Sequence, residues 1–155
     1  MSTHLAYRHV QTYTTLWLID LALAVITVPM VLASGGPDTQ LGLAMVLATV
    51  LGLPLILGRL VVELDATQLR WHFGYLGWPA WSQPLAEIAI TEVARADVVY
   101  GSGIKGTPKN RQFNVTLRGP ALRLHLHDGR RITLGTPEPQ RLQGFVDARR
   151  EALIR

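Results

Sequence analysis

The chain has 155 residues, a formal net charge of +4 and no cysteine. This length allows one ordinary domain and an appendage, and the lack of cysteine excludes disulfides, thiolate nucleophiles and cysteine-ligated metals. Apolar residues are concentrated before Arg59. All lysines and arginines except Arg8 lie at or after Arg59, which leaves residues 59–155 with a net charge of +5. Such a charge suits anionic headgroups, an acidic protein surface or simple solubility.

Two apolar segments come first in the chain. Residues 16–33 contain one ionisable group, Asp20, and residues 41–58 contain none. Eighteen apolar residues are long enough to cross a hydrocarbon core of about 30 Å. The Gly, Pro and Asp residues of segment 34–40 indicate a turn between them. The sequence therefore predicts a two-helix transmembrane hairpin over residues 16–58.

Residues 1–15 are interpreted as an N-terminal interfacial segment, because Tyr7 and Tyr13 are followed closely by Trp17. Arg8 precedes the first helix and Arg59 follows the second, whereas the turn between them has only an aspartate. The positive-inside rule then predicts a multi-pass protein of the cytoplasmic membrane with both termini in the cytoplasm. Two alternatives stay open: cleavage of the first segment as a signal peptide, and a soluble protein with two buried helices.

Asp20 is the only charge expected inside the membrane. It lies about one turn into the first helix, at a depth that an antiparallel hairpin shares with Arg59. Intramembrane carboxylates commonly pair with a cation. We therefore predict an ion pair between Asp20 and Arg59 at the membrane boundary.

Residues 59–155 alternate polar and apolar residues with the period of two that is typical of strands. The Asp128-Gly129 pair, flanked by strand-like runs, indicates a hairpin. Thr136, as an N-cap before Pro137, predicts a closing amphipathic helix. Residues 101–112 are interpreted as a loop. The predicted strands cover residues 60–64, 69–73, 78–85, 88–95, 113–117, 121–127 and 131–134.

The predicted fold is thus a membrane α-hairpin followed by an α+β domain. Its sheet would be a bent sheet or partly open barrel of about seven strands, capped by the C-terminal helix. The order resembles the pleckstrin-homology superfold, in particular the bacterial PH-like domains attached to short transmembrane segments. The residues that carry this resemblance are Leu69-Arg70-Trp71-His72-Phe73-Gly74, Pro84-Leu85-Ala86-Glu87-Ile88, Tyr100-Gly101-Ser102-Gly103-Ile104 and the hairpin from Leu124 to Thr136.

The resemblance implies an inner-membrane protein of bacteria with a scaffolding, assembly or lipid-proximal role and no catalytic residues. Eukaryotic relatives bind phosphoinositides through basic residues near the first β-hairpin. Here that turn is Asp65-Ala66-Thr67, which is acidic. The resemblance therefore gives no support to phosphoinositide binding at this turn.

Three motifs suggest chemistry but lack its context. Residues 101–106 match G-x-G-x-x-G, yet no helix or βαβ unit follows, so no nucleotide site is predicted. His125 and His127 would share one strand face with Arg123, which indicates a solvated face and no metal site. Ser102 has no nucleophile-elbow frame. We expect no catalytic residues, no metal and no cofactor.

The remaining candidate site is the basic loop, whose phosphate-, lipid- or partner-contacting residues would be Tyr100, Lys105, Lys109 and Arg111. The first functional hypothesis is a membrane-anchored binding or assembly module, an accessory subunit or assembly factor of a membrane complex. The second is a sensor of anionic lipid headgroups. An enzyme is the third. The expected partners are membrane lipid and either another membrane protein or a second copy of the chain. No nucleic acid or nucleotide is expected as a partner.

Overall fold

The computed structural model describes residues 7–96, 103–115 and 119–154 of the chain. Within these ranges it contains three α-helices and nine strands, besides a short 3₁₀ helix at Leu85–Glu87. In chain order they are β1 (Tyr7–Thr12), α1 (Thr14–Ser34), α2 (Thr39–Leu57), β2 (Arg59–Leu64), β3 (Gln68–Phe73), β4 (Ala80–Pro84), β5 (Ile88–Arg95), β6 (Gly103–Thr107), β7 (Asn110–Asn114), β8 (Pro120–Leu126), β9 (Arg131–Gly135) and α3 (Pro139–Ile154).

The two predicted apolar helices are confirmed. They are 21 and 19 residues long and pack against each other. Gly35, with a φ of +58°, ends α1 in the left-handed region that glycine adopts without strain. Asp20 and Pro54 are the buried residues of these helices, and most large apolar side chains face outward. By length and composition, both helices could cross a membrane.

The N-terminal segment contains a strand that the sequence analysis did not predict. β1 pairs antiparallel with β2 along its whole length, from Tyr7 opposite Leu64 to Thr12 opposite Arg59. Its sequence is mostly polar and its partner lies about fifty residues away, so local patterns gave no signal for it. Residues 7–12 therefore belong to the sheet of the C-terminal domain, and the helical hairpin is an insertion between two neighbouring strands.

The strands form two sheets. The first has the order β1-β2-β3-β4 and is antiparallel, and the second has the order β5-β8-β9-β7-β6 with one parallel pair, β7–β9. Helix α3 packs against β5 and β8. The predicted α+β class is confirmed, but the sheets do not close into a barrel. Nine described strands replace the predicted number of about seven.

One hydrophobic core lies between the sheets and α3. Its largest fully buried side chains include Trp71, Phe73 and Phe113, and α3 contributes Leu142 and Val146. The residues on the inner faces of β3 and β8 alternate as predicted. The helix begins at residue 139, two residues later than its N-cap signal indicated, although the predicted N-cap hydroxyl still accepts a long hydrogen bond of 3.4 Å from the Glu138 amide.

Residues 101–112 are not the predicted loop in their described part. β6 and β7 form a hairpin around Pro108 and Lys109. Gly106 has a φ of +98°, and a Cβ there would lie 2.0 Å from the Asn110 carbonyl oxygen, so the hairpin requires glycine at this position. The glycines and charges of residues 101–112 suggested a loop, but β6 pairs with β7, and β7 joins this hairpin to β9. The predicted strand 113–117 ends with β7 at Asn114, and residues 116–118 lie outside the described ranges.

Candidate functional site

The junction between the helical hairpin and the sheet is the first feature that positions a site. A single residue, Tyr13, separates β1 from α1, and a single residue, Gly58, separates α2 from β2. The Tyr13 amide donates a hydrogen bond to the Gly58 carbonyl at 2.8 Å. The β1–β2 ladder therefore continues to the base of the helices, and the domain has no free linker on which to swing.

Arg59 fastens the turn between β3 and β4 to this junction. Its Nε donates to the Gly74 carbonyl at 3.0 Å and its Nη2 to the Tyr75 carbonyl at 3.4 Å. Its guanidinium lies 4.5 Å from the centre of the Tyr75 ring, a cation–π contact. The Tyr75 amide in turn donates to the Leu55 carbonyl of α2 at 2.8 Å. The turn is thereby held against the last turns of the second helix.

These contacts explain why the predicted ion pair between Asp20 and Arg59 is not formed. Arg59 follows the helix as the first residue of β2, and its guanidinium is turned toward the carbonyls of the β3–β4 turn. The ion pairs of the described residues do not include one between Asp20 and Arg59. The equal depth inferred from an antiparallel hairpin did not fix the direction of the side chains.

Asp20 is instead buried between α1 and α2. It is 3% exposed, and its Oδ2 is buried without a hydrogen-bond partner in the described part of the chain. It lines a cavity of about 230 Å³ together with Thr27 and Thr49. Both threonine hydroxyls donate to carbonyls of their own helices, at 2.7 Å and 2.9 Å, so they do not serve Asp20 as donors.

The predicted basic residues lie on the β6–β7 hairpin. Lys105, Lys109 and Arg111 are exposed, and none of them pairs with an acidic side chain among the residues that the structure describes. Lys105 lies opposite Gln112, so it projects from the face of the hairpin opposite to that of Arg111. Lys109 is in the turn. Tyr100 lies outside the described residues.

Arg111 stands at the mouth of a cavity that sequence reasoning did not find. This aromatic cavity has a volume of about 230 Å³ and lies between β3, β4, β7 and the start of β9. The Trp81 and Phe113 rings are 4.8 Å apart and the Trp71 and Phe113 rings 5.3 Å apart, measured between centroids. The cavity is lined by residues from both sheets, so its members have no common spacing in the sequence. Its lining is Trp71, Trp81, Ser82, Gln83, Pro108, Arg111, Phe113, Arg130 and Ile132.

The two arginines of the aromatic cavity differ in their partners. Arg130 forms ion pairs with Asp128 at 2.5 Å and with Glu87 at 3.9 Å, so its charge is compensated. The Arg130 amide and side chain also lower the pKa of Asp128. Arg111 has no such carboxylate among the described residues, so its charge suits an anion. A group that combines negative charge with apolar surface would suit this cavity.

The outer edges of the second sheet are treated differently. On β5, the Ala89 carbonyl accepts a hydrogen bond from Arg150 at 2.6 Å, and the Thr91 carbonyl accepts one from Gln143 at 3.1 Å. Helix α3 thereby occupies the β5 edge. At the opposite edge, β6 is exposed for most of its length and pairs only with β7 within the described residues. This edge is open to a further strand.

His125 on β8 follows its predicted orientation, with leucines buried on one face and His125 and Arg123 on the other, whereas His127 lies in the turn after the strand. His125 Nε2 lies 3.1 Å from Glu92 Oε2, and this hydrogen bond and the Arg123 charge lower the pKa of Glu92. In the described ranges no three His, Asp or Glu side chains come together as a metal site would require.

No protein-family model, curated protein or solved structure matches the chain.

Proposed function

We propose that this protein is a membrane-anchored, non-catalytic binding or assembly module, an accessory subunit or assembly factor of a membrane protein complex. The observation that carries the proposal is the insertion of two apolar helices between the neighbouring strands β1 and β2 without a linker. This construction holds one face of the domain at a constant distance from whatever surrounds the helices. A rigid mount is what a module needs to present a surface to a neighbour in the same membrane.

The surroundings of the helices support the membrane part of the proposal. Leucine, isoleucine, valine and methionine side chains cover the outside of both helices, and most are more than half exposed. A core helix of a soluble protein would bury such side chains, whereas lipid covers them. With Arg8 and Arg59 on the domain side, we place the domain and both termini in the cytoplasm of a bacterium, in a multi-pass arrangement.

The binding surface in this proposal is the open edge of β6 with the basic hairpin behind it. An exposed strand edge can accept a strand from a partner through backbone hydrogen bonds, and flanking charges select the partner. Lys105, Lys109 and Arg111, which form no ion pair within the part of the chain that the structure describes, favour an acidic partner segment. The resemblance to PH-like domains agrees with an assembly role, and membership of that family remains part of the proposal.

The test is affinity isolation of the tagged full-length protein from detergent-solubilised membranes. We expect co-isolation of a membrane protein that is reduced several-fold by combining Lys105→Gln, Lys109→Gln and Arg111→Gln. A matched control replaces three cations away from the hairpin: Arg70→Gln, Arg141→Gln and Arg149→Gln. Equal loss in both variants, or recovery of the protein in the soluble fraction after alkaline extraction, would contradict the proposal.

A second candidate function is the binding of anionic lipid headgroups, favoured by the position of Arg111 at the aromatic cavity. Its test uses the full chain in nanodiscs, with a Lys109→Cys label that reports polarity at the hairpin turn. The label should shift toward apolar emission when phosphatidylglycerol replaces phosphatidylcholine, and Arg111→Gln should reduce the shift. Emission that is indifferent to lipid charge would eliminate this function.

A further inference from the structure

The turn between β3 and β4, residues 74–79, exposes an unusual amount of apolar surface. Tyr75 is 43% exposed, Leu76 77% and Trp78 66%. The turn contains no acidic or basic residue. Three neighbouring large apolar side chains on a short turn differ from the scattered single hydrophobic residues that ordinary surfaces carry.

The position of this turn relative to α2 is fixed by hydrogen bonds. The Tyr75 amide donates to the carbonyl of Leu55, a residue of α2 itself, at 2.8 Å. Gly74, with a φ of +70°, lies so close that a Cβ would be 2.4 Å from the same carbonyl oxygen. Leu55 precedes the last helical residue by two positions, about 3 Å along the axis. The turn thus lies level with the final turn of the helix.

An aromatic residue of α1 lies at a comparable level. Tyr13 and Gly58, which precede α1 and follow α2, are hydrogen-bonded and mark a common height. Trp17 is three residues into α1, about 4.5 Å beyond its start. Trp17 is also partly exposed. Trp17, Tyr75 and Trp78 are the residue types that collect at the boundary between hydrocarbon and water.

We infer that the β3–β4 turn is a third membrane contact, in which Tyr75, Leu76 and Trp78 enter the interfacial layer of the bilayer beside the end of α2. The inference rests on the proposed membrane anchoring and adds a lipid-binding element to the domain. Lipid is the occupant because the turn is bonded to a helix residue that the anchoring places at that depth. Arg59, whose guanidinium lies over the Tyr75 ring, holds the turn and can reach the headgroups.

The chain has no cysteine, so a single introduced cysteine carries a unique label. The full-length variants Leu76→Cys and Trp78→Cys are labelled with an environment-sensitive fluorophore and reconstituted in phosphatidylcholine vesicles. Two controls are matched in exposure. Leu47→Cys, 55% exposed, reports the middle of α2, and Ile90→Cys, 62% exposed, reports an apolar side chain on β5, a strand that packs against β8 and α3. Quenching is measured with aqueous iodide and with lipids carrying a nitroxide near the headgroup.

We expect the labels at positions 76 and 78 to be quenched by the lipid nitroxide and several-fold less by iodide than the label at position 90. Iodide quenching equal to that at position 90, with position 47 protected, overturns the inference and leaves the anchoring intact. Protection from both quenchers also overturns it, because a second copy or another protein would then cover the turn. Iodide quenching at position 47 shows that the proposed anchoring itself fails.

Discussion

At the scale of single residues, Asp65 shows how one side chain shapes the β2–β3 turn. Its Oδ1 accepts hydrogen bonds from the amides of Thr67 at 2.8 Å and Gln68 at 2.7 Å. Its Oδ2 lies 3.4 Å from Arg70, while the residue is almost fully buried. The acidic turn that gave no support to phosphoinositide binding thus has a structural role, because its carboxylate replaces the missing backbone partners of the turn.

We predict that Asp65→Asn lowers the free energy of unfolding by about 1–3 kcal/mol at neutral pH. Burial raises the pKa of Asp65, but the amides of Thr67 and Gln68 and the charge of Arg70 outweigh it and lower the pKa below 3.8. The carboxylate therefore stabilises the fold above that ordinary value, and its contribution is lost as the pH falls through the lowered folded-state pKa. Denaturant titrations in mild detergent, followed by tryptophan fluorescence, should show the variant and the parent converging below about pH 4.

Arg70→Gln is the control for Asp65, because it removes the ion pair and leaves both amide hydrogen bonds. Arg70 is more than half exposed, so the control should cost less than about 1 kcal/mol. An equal loss in both variants would show that the ion pair, rather than the turn hydrogen bonds, accounts for the stability. A constant difference between Asp65→Asn and the parent down to pH 2 would contradict the assigned pKa direction.

At the scale of elements, side chains of α3 form a group of hydrogen bonds with the β5 edge. Besides the two hydrogen bonds to β5 carbonyls, Asp147 accepts a hydrogen bond from the Thr91 hydroxyl at 2.9 Å and pairs with Arg150 at 3.2 Å. An unpaired sheet edge is a template for unwanted association. The polar face of α3 thus covers one edge of the sheet while its apolar face packs in the core.

Removing the side-chain hydrogen bonds from Gln143 and Arg150 to the β5 carbonyls should expose the β5 edge. We predict that Gln143→Ala combined with Arg150→Ala speeds amide exchange in β5 several-fold and promotes self-association, which size-exclusion chromatography with light scattering in detergent would detect. The matched control is Arg149→Ala, since Arg149 makes no hydrogen bond to β5 in the described structure. Unchanged exchange in β5 would show that the packing of Leu142 and Val146 alone protects the edge.

At the scale of the whole molecule, the helical hairpin of α1 and α2 is an insertion in a sheet that is otherwise continuous. Tyr13 and Gly58 are hydrogen-bonded to each other, so the two points of insertion lie side by side. Residues 14–57 span the separation between two adjacent strands, which a tight turn could span equally well. The helical hairpin and the domain are therefore separable in the chain although they are joined without a linker.

We predict that replacing residues 14–57 with Asn-Gly gives a folded domain that keeps the near-ultraviolet circular dichroism of its buried Trp71 and partly buried Trp81. A fragment of residues 59–155 should instead aggregate, because it lacks β1 and exposes the edge of β2. The comparison tests the role of β1 directly. Equal solubility and equal spectra for the two proteins would show that β1 is dispensable.

The sequence by itself determined the features that depend on local pattern. The two apolar helices, the strands β2, β3, β5, β8 and β9, the Asp128-Gly129 hairpin and the C-terminal helix were all predicted close to their observed bounds, because hydrophobic period and turn residues are local signals. The sequence also identified Lys105, Lys109 and Arg111 as candidate contact residues, and these are the exposed cations of the β6–β7 hairpin. It gave no signal for β1, whose partner is remote in the chain, or for β6, and it predicted the strand at β7 over residues 113–117 instead of Asn110–Asn114.

Only the tertiary structure decided how these elements meet. The predicted interfacial segment forms a strand because β1 pairs with β2, and the predicted loop forms a hairpin because β6 pairs with β7. Arg59 was expected to meet Asp20 but bonds to the β3–β4 turn, because neighbouring carbonyls set the direction of its side chain. The aromatic cavity is likewise assembled from separate elements, and a hydrogen bond to Leu55 places the apolar turn beside α2. Hydrophobic period and turn residues are local signals in the sequence. Strand partners and side-chain directions are instead set by packing across the whole chain.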